Sequence, residues 1–203
     1  MARPTPKNDR AARAAAMARE AKRQDRRRSF FIWGALGLVL ALIVGAVAFA
    51  VVSRPSLAAV TEYEDLGRDH VTEAVEYPQD PPVGGDHNAA WWNCGVYTEP
   101  IPAYHAVHSL EHGAVWLTYQ PDLPADQIQT LTDLADQEFM LLSPDDQQTS
   151  PVVATAWGNQ LLLDSADDER LPMFITEFRQ GPQTPEPGAA CTGGTTQDLV
   201  AAP

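Results

Sequence analysis

The sequence predicts an α+β domain, a mixed sheet with two packed helices and a long Pro/Gly-rich loop, preceded by one transmembrane helix. Three observations carry that expectation. Residues 30–52 (FFIWGALGLVLALIVGAVAFAVV) run 23 positions without a charge. Residues 73–102 hold five prolines and the pair Gly84-Gly85, a composition that supports loop and opposes helix. Beyond them, apolar residues recur with periods of two and of about 3.6 in the order β-α-β-β-β-α, the pattern of helices packed on a sheet.

The N-terminal element is read from charge. The chain has 203 residues, 14 Lys+Arg, 27 Asp+Glu and a net charge of −13. Ten of the basic residues lie in the first 28 positions against three acidic ones, whereas from Ser53 onward 4 basic face 24 acidic residues. The uncharged segment between these halves spans roughly 34 Å as a helix, enough for a hydrocarbon core of ~30 Å. Arg26, Arg27 and Arg28 abut its start and only Arg54 flanks its end, so the Lys/Arg bias places the N-terminus in the cytoplasm. Trp33 suits an interfacial anchor. The expected division is a basic cytoplasmic tail over 1–29, a signal-anchor helix over 30–52, a tether over 53–61 and an extracytoplasmic domain over 62–203. Two other readings stay open: a signal cleaved near Ala48-Phe49-Ala50, and a twin-arginine export signal at Arg27-Arg28. Topology accounts for the basic tail, so no nucleic-acid partner is expected. The expected partners are membrane lipid along 30–52, also touched by an Ala-rich helical tail, and an envelope protein.

In the outer domain, Ala114 to Tyr119 is a β-branched and aromatic run, read as a strand. Pro124-Ala125-Asp126 opens a helix whose Ile128, Leu131, Leu134 and Ala135 share a face. Phe139 to Leu142 reads as a second strand. Val152 to Trp157, Gly158-Asn159 and Gln160 to Asp164 read as a hairpin. A last helix starts near Asp167 and Asp168, with Leu171, Phe174, Ile175 and Phe178 on one side. The closing ββα unit invites comparison with a thioredoxin-like fold, but without Cys-x-x-Cys the likeness carries no redox function. The segment after Pro182 is expected to be irregular.

The chemistry-bearing residues cluster. His87, His105, His108 and His112 fall within 26 positions, together with Cys94. Neutral imidazole is the commonest protein metal ligand, so these four histidines are the candidate ligands for copper or zinc. Asp86 and Glu111 are candidate partners that orient the rings. Met140 and Met173 would favour copper if they joined the set, although both fall where core residues are expected. His70 stands alone and is set aside. His108-Ser109-Leu110-Glu111-His112 also matches H-x-x-E-H, in which two histidines hold zinc and the glutamate acts on a bound water. Gly113 follows at once, so about one helical turn is expected there, and a hydrolase would need a further ligand such as Glu177 or Glu186. The alternative class is an envelope interaction or scaffold domain with a structural histidine cluster. Cys94 and Cys191 are the only cysteines and lie on the outer side, where a single disulfide closing a 97-residue loop is the default; free thiols, or Cys94 as a copper ligand, are the other option. Of the adjacent pair Trp91-Trp92, one ring is expected in the core and the other near the surface.

Pro81-Pro82-Val83-Gly84-Gly85-Asp86-His87, Gly95-Val96-Tyr97 and His108-Ser109-Leu110-Glu111-His112-Gly113 together resemble the domain of unknown function 3105 family, over roughly residues 60–190. The family is largely bacterial and membrane-anchored or exported. The resemblance implies that His87, His108, Glu111 and His112 belong together, and it implies no activity. Gly84 departs from the Ser found in many members. The stretch from Gly181 to Gly188 followed by Cys191 is similar to actinobacterial-type members that carry a cysteine at the Cys94 position, which supports a Cys94–Cys191 pairing.

Overall fold

A computed structural model describes residues 6–52 and 55–199, and the chain divides into two compact units at Arg54/Pro55. Part of the expected tether, residues 53–54, and the termini 1–5 and 200–203 lie outside the described residues.

The first unit is a single helix, α1 (Pro6–Val52), 47 residues long. Its Arg13–Phe49 part is long and apolar enough to cross a membrane. Phe30, Phe31, Trp33, Leu42 and Phe49 are all exposed, and a helix apolar on every side needs lipid or protein around it. The basic segment from residue 6 continues the same helix into the apolar span.

The second unit begins with a 3-10 turn, Leu57–Ala59, inside the stretch read as tether; Leu57 and Val60 pack against the core. Four two-residue strands follow within the Pro/Gly-rich region or just before it: β1 (Thr61–Glu62), β2 (His70–Val71), β3 (His87–Asn88) and β4 (Gly95–Val96). Then come α2 (Ala103–Glu111), β5 (Val115–Tyr119), α3 (Ala125–Ala135), β6 (Met140–Pro144), β7 (Val152–Ala156), β8 (Asn159–Leu163) and α4 (Arg170–Phe178). The main sheet is ordered β1-β8-β7-β5-β6-β4. β5 and β4 run parallel to β6, while β7 is antiparallel to β5 and β8, and β1 to β8. This mixed α+β architecture is the one expected; β6 and β7 are joined by a loop, without the helix that a thioredoxin-like unit carries there. β2 and β3 form a separate parallel pair.

Strand alternation divides the core into two layers. Val115, Leu117 and Tyr119 of β5 face one side with Met140 and Leu142, against Leu131 and Ala135 of α3 and Leu171, Phe174 and Ile175 of α4. Trp116 and Leu141 face the other side, against Ala106, Val107 and Leu110 of α2, with Trp92, Ile101 and Trp157. With both sides covered, β5, β6 and β7 are buried along their whole length, which explains their near-continuous apolar sequences.

The helix expected as one turn around His108–His112 has nine residues. Gly113 does end it as anticipated. With φ +96, Gly113 donates its N–H to Leu110 O at 2.9 Å while Ala114 N–H reaches Ser109 O at 2.9 Å, the paired bonds of a Schellman cap. A side chain at Gly113 would also meet Gln180 Cα at 3.1 Å. The segment after α4 is irregular but firmly fastened. Gln180 N–H bonds Gly113 O, Glu186 N–H bonds Glu111 O, and the Cys94–Cys191 disulfide closes over a separation of 97 residues with Cα atoms 5.4 Å apart.

Candidate metal centre

α2 packs against β3, and this contact builds the site. On a helix, positions i and i+3 share a face, so His108 and Glu111 turn together toward β3. The parallel pairing of β2 with β3 sets His70 directly opposite His87. The four side chains His70, His87, His108 and Glu111 each present one ligand atom, and all of these lie within 4.8 Å of one another. The three rings form a triangle, with centroids 5.0 Å apart for His70–His87, 4.7 Å for His70–His108 and 4.8 Å for His87–His108. His87 Nε2 lies 2.9 Å and His70 Nε2 3.8 Å from Glu111 Oε2.

Backbone carbonyls fix the proton on each buried ring. His87 Nδ1 donates to Gly85 O and His108 Nδ1 to Asn88 O, each at 2.7 Å. His112 Nδ1 donates to Ala190 O at 2.7 Å and His105 Nδ1 to Ala90 O at 2.6 Å. A carbonyl oxygen can only accept, so each Nδ1 carries hydrogen and each Nε2 keeps its lone pair in the neutral ring. Carbonyl-anchored imidazoles of this kind are pre-oriented ligands. These carbonyls, and not Asp86, orient the rings: Asp86 instead accepts from Asp69 N–H at 3.0 Å, and its carbonyl accepts from the Tyr77 hydroxyl at 2.8 Å.

The electrostatics follow from burial. His87 is fully buried and Glu111 is 3% exposed, yet neither His87 Nε2 nor Glu111 Oε2 has a hydrogen-bond partner. A neutral imidazole nitrogen and a carboxylate oxygen are both acceptors, so at 2.9 Å they require a proton or a cation between them. Burial pushes the His108 imidazole down to about 3, against the pull of its bond to Asn88, and His112, His87 and His70 push it the same way. His108 is therefore a neutral, metal-competent ring at ordinary pH. Trp157 packs edge-on at 5.9 Å from His87 and Trp91 lies 5.8 Å from His108, walling the group with apolar surface. His70, with its side chain 45% exposed, is the open side.

The structure sorts the sequence expectations. His87 and His108 converge as anticipated, and Glu111 joins them directly. His70, set aside in the sequence, is the fourth member. His112 belongs to an adjoining group with His108 and Glu186, its Nε2 lying 3.4 Å from Glu186 Oε2. His105 is elsewhere: its Nε2 accepts from Leu199 N–H at 3.2 Å and its ring packs on Trp92 and Tyr104. Met140 is buried in the layer under α3 and α4, Met173 is half-buried on α4, and neither belongs to a ligand group among the described residues. Cys94 and Cys191 are paired, which leaves no thiol for copper. Trp92 plugs the core while Trp91 is half-buried over His112, the division expected for adjacent rings.

These buried His/Glu groups can hold a metal ion, and the apolar helix supplies a candidate anchor. Comparison with curated proteins and with solved structures finds no match. A family model described as protein of unknown function (DUF3105) matches residues 70–193, beginning at His70 itself and enclosing every residue of the two His/Glu groups. The chain belongs to this family of proteins of unknown function.

Proposed function

We propose that the protein is a membrane-anchored, extracytoplasmic metal-binding domain that holds one divalent transition ion, zinc in the first place and copper(II) next, on His70, His87, His108 and Glu111. The observation that carries this reading is the buried pair His87 Nε2 and Glu111 Oε2, 2.9 Å apart without a hydrogen between them in the neutral tautomer. Leaving two such acceptors unsatisfied costs roughly 1–3 kcal/mol each, more for a charged group, and a cation removes that penalty. Three imidazoles and one carboxylate form a borderline N3O set suited to tetrahedral zinc or to copper(II). With no thioether or thiolate in it, nothing favours copper(I). Glu111 acts in this reading as a ligand and not as a base on bound water, which sets the hydrolase alternative aside.

The location follows from separate observations. The basic residues up to Arg28, the exposed apolar helix and the disulfide favour an N-terminus in the cytoplasm and the folded domain outside. Purified full-length protein in detergent micelles, dialysed against equimolar zinc and copper and then against buffer, is expected to retain one ion per chain by elemental analysis. The His87→Ala variant is expected to retain less than about a tenth of that. Wild-type protein that retains no ion contradicts the proposal.

A further inference from the structure

The four ligands leave His112 and Glu186 without a role. We propose that the ion has a second position, held by His108, His112 and Glu186, which shares His108 with the first, so that the two are occupied one at a time and an ion moves between them without leaving the protein. This rests on the metal-binding reading above and assigns the site an exchange route. The three side chains offer ligand atoms within 4.8 Å of one another, and the His108 and His112 rings are 4.5 Å apart and nearly perpendicular.

The shared ligand makes the positions exclusive. His108 Nδ1 is committed as a donor to Asn88 O at 2.7 Å, so only Nε2 has a lone pair, and one lone pair serves one ion. His112 is fixed in the same way by Ala190 O, and its Nε2 faces Glu186 Oε2 at 3.4 Å. The backbones that carry the two carboxylates are joined, because Glu186 N–H donates to Glu111 O at 3.1 Å. Their surroundings differ: the Glu111 side chain is 4% exposed, whereas that of Glu186 is 50% exposed. The inner position therefore holds the ion among buried groups. The outer position presents it to a soluble chelator or to a metal-accepting protein. The Trp91 ring, tilted against His112 at 4.9 Å and edge-on to His108 at 5.8 Å, covers the step between them. Metal ligands exchange one at a time, and a pivot on His108 keeps the ion bound throughout.

The test titrates full-length protein in detergent micelles with Co(II), read by its visible absorption. Wild type is expected to take up one Co(II) per chain with no second step. The double variant His70→Ala/Glu111→Gln, which disables the inner position, is expected to keep one Co(II) with an altered spectrum and an affinity lower by about tenfold or more; adding Glu186→Gln should weaken it about tenfold further. Adding Glu177→Gln on α4 instead should change nothing. In an otherwise wild-type chain, Glu186→Gln is expected to slow Co(II) release to excess EDTA severalfold. A second Co(II) on wild type, or a double variant whose residual binding ignores Glu186→Gln, overturns the shared-ligand proposal while leaving the metal centre standing. A wild-type chain that binds no Co(II) overturns both. Circular dichroism of each variant confirms that it has folded, and the release rate of the single variant, altered only at a half-exposed residue, keeps the test decisive if the double variant does not.

Discussion

Glu111 carries the sharpest residue-scale prediction because its two possible roles have opposite signatures. As a ligand, its buried carboxylate is a burden on the metal-free fold, so Glu111→Gln should leave the metal-free melting temperature unchanged or raise it. The same variant should lower zinc affinity by about tenfold or more. Calorimetry with and without zinc reads both. A purely structural Glu111 would instead lower the metal-free value and leave zinc binding unmoved. His108 gives the pH dependence. Its folded-state pKa lies near 3, below the ordinary 6.5 of an unfolded histidine. The unfolded chain thus binds the extra proton first, and the group's contribution is fully present above 6.5. It is lost as pH falls toward 3, at up to about 1.4 kcal/mol per pH unit. Its ring signals in a proton NMR titration of the metal-free protein should not move between pH 8 and 5; a midpoint near 6.5 would contradict the burial argument. At this scale the H-x-x-E-H spacing made His108 and Glu111 legible, since i and i+3 share a helix face. His70 was not legible, because its place opposite His87 depends on two-residue parallel strands that leave no periodic signature. His105 was over-read: nearness in sequence to His108 counted it in, while the helix turns its ring toward Trp92 and Leu199.

Among the elements, α2 and the C-terminal segment do the positioning. Leu110 is fully buried between α2 and the sheet, so Leu110→Ala should cost about 2–5 kcal/mol and loosen the helix that carries His108 and Glu111. The disulfide ties Cys191 to Cys94, and with it the preceding Ala190, whose carbonyl orients His112. The Cys94→Ala/Cys191→Ala variant should lose about 2–5 kcal/mol in urea denaturation, and a loss below about 1 kcal/mol would show that the backbone bonds of the segment suffice alone. β5, α3, β6, the hairpin and α4 were all legible, since each is long enough for its period to show. Helix α2 was read short because Gly113 follows the histidine motif at once, and upstream of it the apolar positions are few amid histidines that local propensity ranks poorly. The stretch after Pro182 has no regular pattern, and its order comes from long-range bonds to Trp91, Asn93 and Glu111, which no local reading can supply.

At the scale of the whole molecule, the net charge of −13 is the sum of a basic helical tail and a strongly acidic domain. The proposed orientation predicts that, in intact cells, external protease removes a C-terminal tag and spares an N-terminal one until the membrane is broken; the reverse pattern would invert the topology. The acidic surface keeps the domain soluble and draws cations toward it, but the ligand set decides what stays bound. X-ray absorption of the zinc-loaded full-length protein tests that set most directly. The account predicts one zinc per chain with about three imidazole nitrogens and one oxygen at ~2.0–2.1 Å, and a loss of one imidazole in the His70→Ala variant. A zinc shell dominated by water oxygens, without imidazole scattering, or a His70→Ala spectrum identical to wild type, would contradict it.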